Sequence, residues 1–339
     1  MLEDPVTTRS LEREMEIAVH AVIAASRLCT GVRSALVDRF TVVKDDRSPV
    51  TIADYGSQAL ICRMLREAFP HDAVVAEENA EALTRKDHRE ILKEVVHQVH
   101  AILPDLSSSE VCDAIDWGSQ DPAERFWTLD PIDGTKGFLR GDQYAVALAL
   151  VVDGRVQLGV LGCPNLARQA GLGGGPAGAV FAALRSKGAF ETDLNVTEKT
   201  PISASAATIP ADARMTESYE SGHTDHGSHQ HIANRLKMTR PPLRMDSQAK
   251  YAVLARGEAS VYLRLPSPQS PDYRERIWDH AAGSIIIEEA GGKVTDAFGA
   301  PLDFSQGKIL AMNQGVVATN GRLHDIVLEA VRMELKTQA

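Results

Sequence analysis

Two aspartates, Asp130 and Asp133, lie three residues apart in the segment FWTLDPIDGTKGFLRG, directly after an apolar run. Pro131 favours an extended backbone at Asp130, and Gly134 allows the chain to reverse, so both carboxylates can point to one place at the end of a strand. The carbonyl group of Ile132 can join them. Carboxylates this close repel each other unless a cation lies between them, and oxygen ligands favour a hard cation such as Mg²⁺. The alternative is a plain turn, because Asp, Pro and Gly are ordinary turn residues.

Further acidic residues occupy comparable positions. Glu77 ends the apolar run in AVVAEEN, Asp279 opens a predicted helix after Trp278, and Asp46 lies in KDDRSPVT. Each has an ordinary explanation: a surface charge for Glu77, a helix N-cap for Asp279 and a loop acid for Asp46. Their occurrence together with the DPID segment favours a single acidic site.

The bulk composition narrows the class of protein. The chain has 339 residues, 44% of them hydrophobic and 24% charged, which is typical of a globular protein with room for two domains. Its net charge of −10 argues against general affinity for nucleic acids or anionic membranes. The N-terminal segment MLEDPVTTRSLEREMEIA is acidic where a targeting peptide would be basic, and we see no run approaching the length of a membrane span. We therefore expect a cytoplasmic protein without nucleic-acid or membrane partners.

The spacing of the cysteines and histidines does not favour a metal site or a catalytic nucleophile. Cys29, Cys62, Cys112 and Cys163 are scattered, which predicts reduced and mostly buried thiols. The histidines of the segment HTDHGSHQH resemble a metal cluster, but they have no cysteine partner and no regular helical face. We therefore expect a solvated loop for most of them. The glycines of GGGPAG spell G-x-G-x-x-G, yet a proline and a strand follow, which favours a flexible loop over a dinucleotide site.

The first half of the chain predicts helices followed by a hairpin. A long amphipathic helix covers SLEREMEIAVHAVIAASRLCTGVRSALV, and a second covers ADYGSQALICRMLREAFP and ends at Pro70. A charged helical region follows from about 85 to 103. Two apolar strands meet at Asp153-Gly154, which is a strong hairpin signal.

The second half predicts mixed strands and helices. AVFAALRSKGAFE reads as a strand pair, residues 205–245 are polar and broken, and WDHAAGSIIIEEAGG reads as a helix with a glycine stop. We place a boundary near Pro164. The prediction is an α+β N-terminal domain over residues 1–166 and an α/β C-terminal domain over residues 167–339.

Four separated motifs together resemble a known family. The segments VVAEEN, DPIDGTKGF and WDHAAG, with KDDRSPVT upstream, are similar to those of the lithium-sensitive, metal-dependent phosphatases of the inositol monophosphatase superfamily. Within it, SPVTIADYGSQALI, DSQAKYAVLARGEASVYLRLP and IWDHAAG resemble the 3′(2′),5′-bisphosphate nucleotidases. Ala76 is a departure, because the family commonly has glycine before its metal-binding glutamate. We expect a local backbone adjustment there.

The resemblance implies a layered α-β-α-β-α fold of the α/β class, with the active site between the two domains. It implies two or three Mg²⁺ ions per site and inhibition by Li⁺. The metal ligands carried over by position are Glu77, Asp130, the Ile132 carbonyl, Asp133 and Asp279. Asp46 and Thr135 correspond to the pair that positions and deprotonates the attacking water, so no covalent phosphoenzyme is needed.

The resemblance also implies the substrate. Family members hydrolyse adenosine 3′,5′-bisphosphate (PAP) to AMP and phosphate, and convert 3′-phosphoadenosine 5′-phosphosulfate (PAPS) to APS, in sulfur metabolism. The residues that match nucleotide-binding positions are Gly134, Thr135, His223, Ser247, Lys250 and Arg264. The segment around His223 contains further histidines, so a small shift in the alignment would assign this role to one of them.

Two alternatives stay open at the level of sequence. An inositol polyphosphate 1-phosphatase-like activity would use the same metal motifs on an inositol bisphosphate. A nucleotide-binding regulatory protein without catalysis would belong to another class, although the complete acidic set argues against it. The sequence does not determine the oligomeric state; we favour a monomer.

Overall fold

The computed structural model of the protein describes residues 11–36, 41–43, 49–168, 178–219, 226–266, 270 and 272–338. Its helices are α1 (Glu12–Leu36), α2 (Ile52–Ala68), α3 (Arg89–His100), α4 (Ser108–Asp116), α5 (Thr135–Arg140), α6 (His226–Arg235), α7 (Ala249–Ala255), α8 (Ala281–Glu289) and α9 (His324–Gln338). Its strands are β1 (Thr41–Val43), β2 (Pro49–Thr51), β3 (Ala73–Ala76), β4 (Arg125–Asp133), β5 (Ala145–Val152), β6 (Arg155–Cys163), β7 (Ala179–Leu184), β8 (Gly188–Asp193), β9 (Thr200–Pro201), β10 (Met215–Glu217), β11 (Leu243–Arg244), β12 (Val261–Arg264), β13 (Lys293–Thr295) and β14 (Val316–Thr319).

The larger sheet has the strand order β3-β4-β5-β6-β7-β8-β9. Its first two strands are parallel, and each later strand pairs antiparallel with its neighbour. At the β5–β6 turn, Asp153 and Gly154 have φ angles of 51° and 69°, as a type I′ hairpin requires, so the predicted hairpin is confirmed. The predicted strand pair is confirmed as β7 and β8. These strands and β9 continue the first sheet, so the boundary predicted between residues 166 and 167 falls inside that sheet.

A second sheet, in the order β11-β10-β12-β14-β13, completes a layered structure. Helices α1 and α2 cover one face of the larger sheet, α7 and α8 lie between the two sheets, and α6 and α9 cover the outer face of the second sheet. Ile285, Ile286 and Ile287 of α8 are all fully buried because that helix has a sheet on either side. The predicted α-β-α-β-α order of layers is confirmed.

Helix α1 is more apolar than the sequence analysis allowed for. Its segment Glu12–Ser34 is long and apolar enough to cross a membrane by length and composition, contrary to the expectation that no run approached that length. In the fold, 61% of its most apolar window is buried. Ala18, Ala21 and Val22 are fully buried where α1 packs on α2 and on the larger sheet. Core packing therefore accounts for the apolar character of this helix.

Local signals in the sequence place the start of α2. The side chain of Thr51 accepts hydrogen bonds from the backbone N–H groups of Ala53 and Asp54, and Asp54 Oδ2 accepts one from the Thr51 N–H at 2.7 Å. This reciprocal pair is a capping box, which satisfies N–H groups that the first helical turn leaves open. The helix ends before Phe69 and Pro70, as predicted.

The cysteine prediction is confirmed, whereas the histidine-rich segment differs from expectation. Cys29, Cys62 and Cys163 are buried, Cys112 is partly buried, and all are free thiols. His226, His229 and His231 lie in helix α6 rather than in a solvated loop.

Two of these histidines lie close to buried glutamates. His229 is 1% exposed, and its Nδ1 lies 3.9 Å from Glu217 Oε2, while His231 Nδ1 lies 3.0 Å from Glu334 Oε1. His223 and the glycine-rich segment 169–177 lie outside the described residues.

Candidate active site

The C-terminal end of β4 carries the DPID segment. Residues Arg125 to Asp130 pair in regular register with β5, and the register shifts between Asp130 and Asp133. Gly134 follows in the left-handed conformation, with φ at 84°, and α5 begins at Thr135. A β-bulge followed by a glycine turns the chain and re-aims its side chains, and Asp130, Ile132 and Asp133 all line one cavity.

Glu77 reaches the same place from the neighbouring strand. Because β3 and β4 are parallel, their C-terminal ends lie at the same edge of the sheet, with Ala76 beside Leu129. The Glu77 N–H donates to the Leu129 carbonyl at 3.2 Å, which places Glu77 next to Asp130. The residue at position 76 is buried and fits here as alanine, so the departure from glycine leaves the glutamate in the site.

The facing wall of the cavity comes from the second half of the chain. Ser247 and Gln248 precede α7, Lys250 lies within it, and Arg264 ends β12. Asp279 lies just before α8. The cavity between the two walls has a volume of about 210 Å³. Its lining residues include Glu77, Asp130, Ile132, Asp133, Gly134, Thr135, Lys136, Ser218, Asp246, Ser247, Gln248, Lys250, Tyr262, Arg264, Asp279 and His280.

The acidic end of this cavity is electrostatically unfavourable without a cation. Burial raises the pKa of Asp130 well above its ordinary value of 3.8, and the charges of Glu77, Asp133 and Asp279 raise it further. The pKa of Asp279 is raised by desolvation and then by the charge of Asp133. Asp130 is 2% exposed, and its Oδ1 has no hydrogen-bond partner among the described residues. A set of carboxylate oxygens with a buried oxygen left over fits a hard divalent cation.

The other end of the cavity is cationic. Lys250 is buried, its Nζ donates to Ser218 Oγ at 2.9 Å, and it lies 5.3 Å from the centre of the Tyr262 ring. Burial lowers the pKa of Lys250 to about 8, although the charge of Asp133 opposes this shift. Arg264 donates from Nε to Glu275 Oε1 at 3.0 Å. The cavity therefore places fixed cations beside a group of carboxylates.

Glu275, Asp279 and His280 also lie close enough together to suggest a metal site of their own. However, His280 Nδ1 lies 2.7 Å from the Tyr251 hydroxyl, and its Nε2 lies 3.1 Å from Glu275 Oε2. Both ring nitrogens are therefore engaged in hydrogen bonds. Burial alone would raise the pKa of Glu275, but the Arg264 charge and the His280 hydrogen bond outweigh it and lower that pKa to about 2. These contacts identify a hydrogen-bonded chain rather than a second metal site.

Most of the predicted site residues lie around this one cavity. They are Glu77, Asp130, Ile132, Asp133, Gly134, Thr135, Ser247, Lys250, Arg264 and Asp279. Asp46 and His223 lie outside the described residues, so their predicted roles stay predictions. Thr135 Oγ1 donates to the Ile132 carbonyl at 3.2 Å, which links the threonine to the backbone between the two aspartates.

Asp54 is a buried acid near the site that the sequence analysis passed over. It is fully buried in the first turn of α2, and its charge contributes to the raised pKa of Asp130. Ser57 Oγ, in the same helix, donates to the Pro131 carbonyl at 2.9 Å and so holds α2 against the DPID segment. The available signal was the Thr-x-x-Asp capping box at the start of a helix, which indicates a structural role before a chemical one.

The comparisons with known proteins agree with this geometry. The inositol monophosphatase family matches residues 11–335. A 3′(2′),5′-bisphosphate nucleotidase of Oryza sativa is 43% identical over 343 residues, covering 96% of this chain and 95% of the rice protein. One of Emericella nidulans is also 43% identical, over 358 residues, covering 96% and 99%. The structure of a Thermotoga maritima IMPase matches with a TM-score of 0.68 at 22% identity, covering 96% of this chain and 100% of that one. The chain therefore belongs to the inositol monophosphatase family of metal-dependent phosphatases.

Proposed function

We propose that this protein is a magnesium-dependent 3′(2′),5′-bisphosphate nucleotidase. It removes the 3′-phosphate of adenosine 3′,5′-bisphosphate to give AMP, and converts PAPS to APS, in sulfur metabolism. The observation that carries the proposal is the juxtaposition of two cations, the buried Lys250 and the partly buried Arg264, with the carboxylates of Asp130 and Asp279 in one cavity. A substrate with two phosphates matches a site that has a metal-binding end and a cationic end. The named relatives act in the same substrate class.

The acidic end would hold two or three Mg²⁺ ions. The ligands are the side chains of Glu77, Asp130, Asp133 and Asp279 and the carbonyl of Ile132. Bound cations would offset the charge of the phosphate and make an attacking water more acidic. Li⁺ would inhibit by competing for one of these positions.

The protein's own groups orient the phosphate and the water. Gly134 and Thr135 open α5, and their backbone N–H groups are suited to oxygens of the phosphate that is cleaved. A water attacks in line with the leaving ribose oxygen. The Asp46 carboxylate accepts the proton of this water, and the Thr135 hydroxyl passes a hydrogen bond toward that carboxylate. Asp54 is a second candidate for the accepting carboxylate, because it is fully buried and its charge acts on Asp130.

The cationic end reads the phosphate that is not cleaved. Lys250 and Arg264 bind it by charge-assisted hydrogen bonds, Ser247 adds a hydroxyl, and His223 contacts the nucleoside. Ser247 has a φ of 68°, a strained conformation for a residue other than glycine, and it lies directly opposite Gly134. Strain of this kind is typical of residues held in place for binding.

Phosphate release from a panel of substrates tests the proposal. Wild-type protein is assayed with adenosine 3′,5′-bisphosphate, PAPS, inositol 1,4-bisphosphate and fructose 1,6-bisphosphate in Mg²⁺. We expect the adenosine substrates to have the highest kcat/KM. Preference for inositol 1,4-bisphosphate would support the inositol polyphosphate 1-phosphatase alternative, and nucleotide binding without turnover would support a regulatory protein. The cytoplasmic location and the monomeric state stay predictions.

A further inference from the structure

A continuous chain of hydrogen bonds runs behind the cationic wall of the cavity. The Tyr251 hydroxyl contacts His280 Nδ1 at 2.7 Å, His280 Nε2 contacts Glu275 Oε2 at 3.1 Å, and Arg264 Nε donates to Glu275 Oε1 at 3.0 Å. These groups come from α7, from the segment before α8, and from β12. Glu275 is the member that joins the other elements, because each of its carboxylate oxygens has a different partner.

Glu275 differs from its partners in its position relative to the cavity. Arg264 and His280 both line the cavity, whereas Glu275 is not among the described lining residues and is 6% exposed. Its backbone is also fixed, since its carbonyl accepts a hydrogen bond from the Leu310 N–H at 2.8 Å. The carboxylate therefore lies behind the cavity lining, where it can orient Arg264 and His280.

Arg264 needs an orienting partner. A free arginine side chain samples many rotamers, and a guanidinium recognises a phosphate best when its plane is held in advance. Glu275 accepts a hydrogen bond from Arg264 Nε, and Nη2 of Arg264 makes a longer contact of 3.4 Å with the Tyr273 hydroxyl. Anchoring through Nε fixes the guanidinium beside the cavity that Arg264 lines.

We propose that Glu275 is a positioning residue for recognition of the second phosphate: it holds Arg264 and His280 from outside the cavity and thereby sets the preference for a bisphosphate over a monophosphate. The inference rests on the proposed function and deepens it. Because Glu275 does not line the cavity, we expect it to act on KM through Arg264 rather than on the chemical step.

Steady-state kinetics of Glu275→Gln test this role. Gln has the same shape but places a neutral NH₂ group against a donor of Arg264 or His280. Losing one charge-assisted hydrogen bond weakens binding by roughly ten- to a hundredfold. We expect KM for adenosine 3′,5′-bisphosphate to rise by about tenfold or more. We expect KM for 3′-AMP, which lacks the second phosphate, to change by less than about threefold, and kcat to change little on either substrate.

Glu191→Gln is the matched control. Glu191 is fully buried and its Oε1 lies 3.3 Å from Arg256 Nη1, so the variant also removes the charge of an arginine-paired buried carboxylate, and Glu191 is not among the residues that line the cavity. It should leave the ratio of the two KM values at the wild-type level. Equal KM changes on both substrates in Glu275→Gln, or no change on either, would overturn the proposal. A fall in kcat on both substrates that is relieved by higher Mg²⁺ would instead indicate a role in holding metal.

A double-mutant comparison and a spectroscopic measurement make the result independent of folding defects and of the substrate. In an Arg264→Ala background, Glu275→Gln should add no further rise in KM for the bisphosphate, and a full additional rise would contradict the proposed route.

In nuclear magnetic resonance spectra, the Arg264 Nε–H signal, assigned by its loss in Arg264→Ala, should exchange slowly with water in wild type and faster in Glu275→Gln. An unchanged exchange rate in Glu275→Gln would contradict the positioning role. If the wild type shows no preference for the bisphosphate, the proposed function fails, while the exchange measurement still reports on Glu275.

Discussion

The backbone N–H of Gln248 donates a hydrogen bond to Asp133 Oδ2 at 2.5 Å, and so joins the two walls of the cavity. The side chain of Gln248 extends the link, because its Nε2 donates to the Trp278 carbonyl at 2.9 Å and its Oε1 accepts from the Gly283 N–H at 3.0 Å. One residue thus connects the end of β4 with the start of α8, where Asp279 lies. Gln248 therefore links the segments that carry Asp133 and Asp279.

The first prediction concerns the metal. Activity should be lost in excess chelator, return on addition of Mg²⁺, and fall when Li⁺ is added at fixed Mg²⁺, because the carboxylates of Asp130 and Asp279 repel each other without a cation. The measurement is phosphate release from adenosine 3′,5′-bisphosphate. Full turnover in chelator would be incompatible with metal-assisted hydrolysis.

The second prediction concerns pH and stability in the metal-free protein. The pKa of Asp130 and that of Asp279 are raised in the folded protein, so folded protein binds these protons more tightly than unfolded protein does. Their contribution to the free energy of unfolding is therefore fully present below about pH 3.8, the pKa of these groups in the unfolded chain. It is lost as the pH rises through their raised pKa values in the folded protein. The measurement is the melting temperature in chelator as a function of pH. This pair of carboxylates should lower it progressively as the pH approaches neutrality.

Asp130→Asn isolates this effect. Compared with wild type in chelator at pH 7, the variant should unfold at a higher temperature, because it removes a buried charge from a repelling group. Added Mg²⁺ should stabilise the wild type and have much less effect on the variant. A lower melting temperature for metal-free Asp130→Asn at neutral pH would contradict the electrostatic account.

The third prediction separates the candidates for the water-activating carboxylate. Loss of a general base should reduce kcat by about a hundredfold or more, with nucleotide affinity within a few-fold of wild type. The variants compared are Asp46→Asn, Asp54→Asn and Thr135→Ala. The general base is the carboxylate whose replacement lowers kcat by this amount and leaves the melting temperature unchanged. Near-normal turnover in Thr135→Ala would remove the threonine from the mechanism.

The fourth prediction concerns the second phosphate. Arg264→Ala should raise KM for adenosine 3′,5′-bisphosphate by about ten- to a hundredfold, as expected for a lost charge-assisted contact, and should affect 3′-AMP much less. Arg276→Ala is the control, since Arg276 is exposed and lies over the Trp278 ring outside the cavity lining. Equal losses on the two substrates would favour the inositol-phosphate alternative.

The fifth prediction uses a pair of glycines with the same backbone conformation. Gly134 and Gly188 have φ angles of 84° and 82°, but a Cβ at position 134 would lie 2.9 Å from Ser247 Cβ, whereas nothing lies within 4 Å at position 188. Left-handed strain alone costs about 1–2 kcal/mol for alanine. Gly188→Ala should show only that loss of stability with normal kcat/KM. Gly134→Ala should lose more stability and most of its activity, because it separates the cavity walls; equal behaviour of the two variants would disprove the close approach.

Several features of this protein could be predicted from the sequence because their signals are local. The Asp153-Gly154 hairpin follows from turn chemistry, and α2 follows from apolar periodicity ended by Pro70. The spacing of Asp130 and Asp133 around Pro131 indicated that both carboxylates would meet at a strand end. A family resemblance over separated motifs then added the facing wall and the order of the layers.

Other features depended on which distant segments pack together. No local pattern indicates that Glu275 holds Arg264, that Gln248 bridges to Asp133, or that the charge of Asp54 acts on Asp130, because each interaction joins residues that only the folded sheets bring together. The larger sheet also continues beyond residue 166, since β7 pairs with β6. The sequence alone determined the residue types that can bind a cation and a phosphate, and the tertiary structure decided which groups orient them, because orientation depends on how separate elements pack against one another.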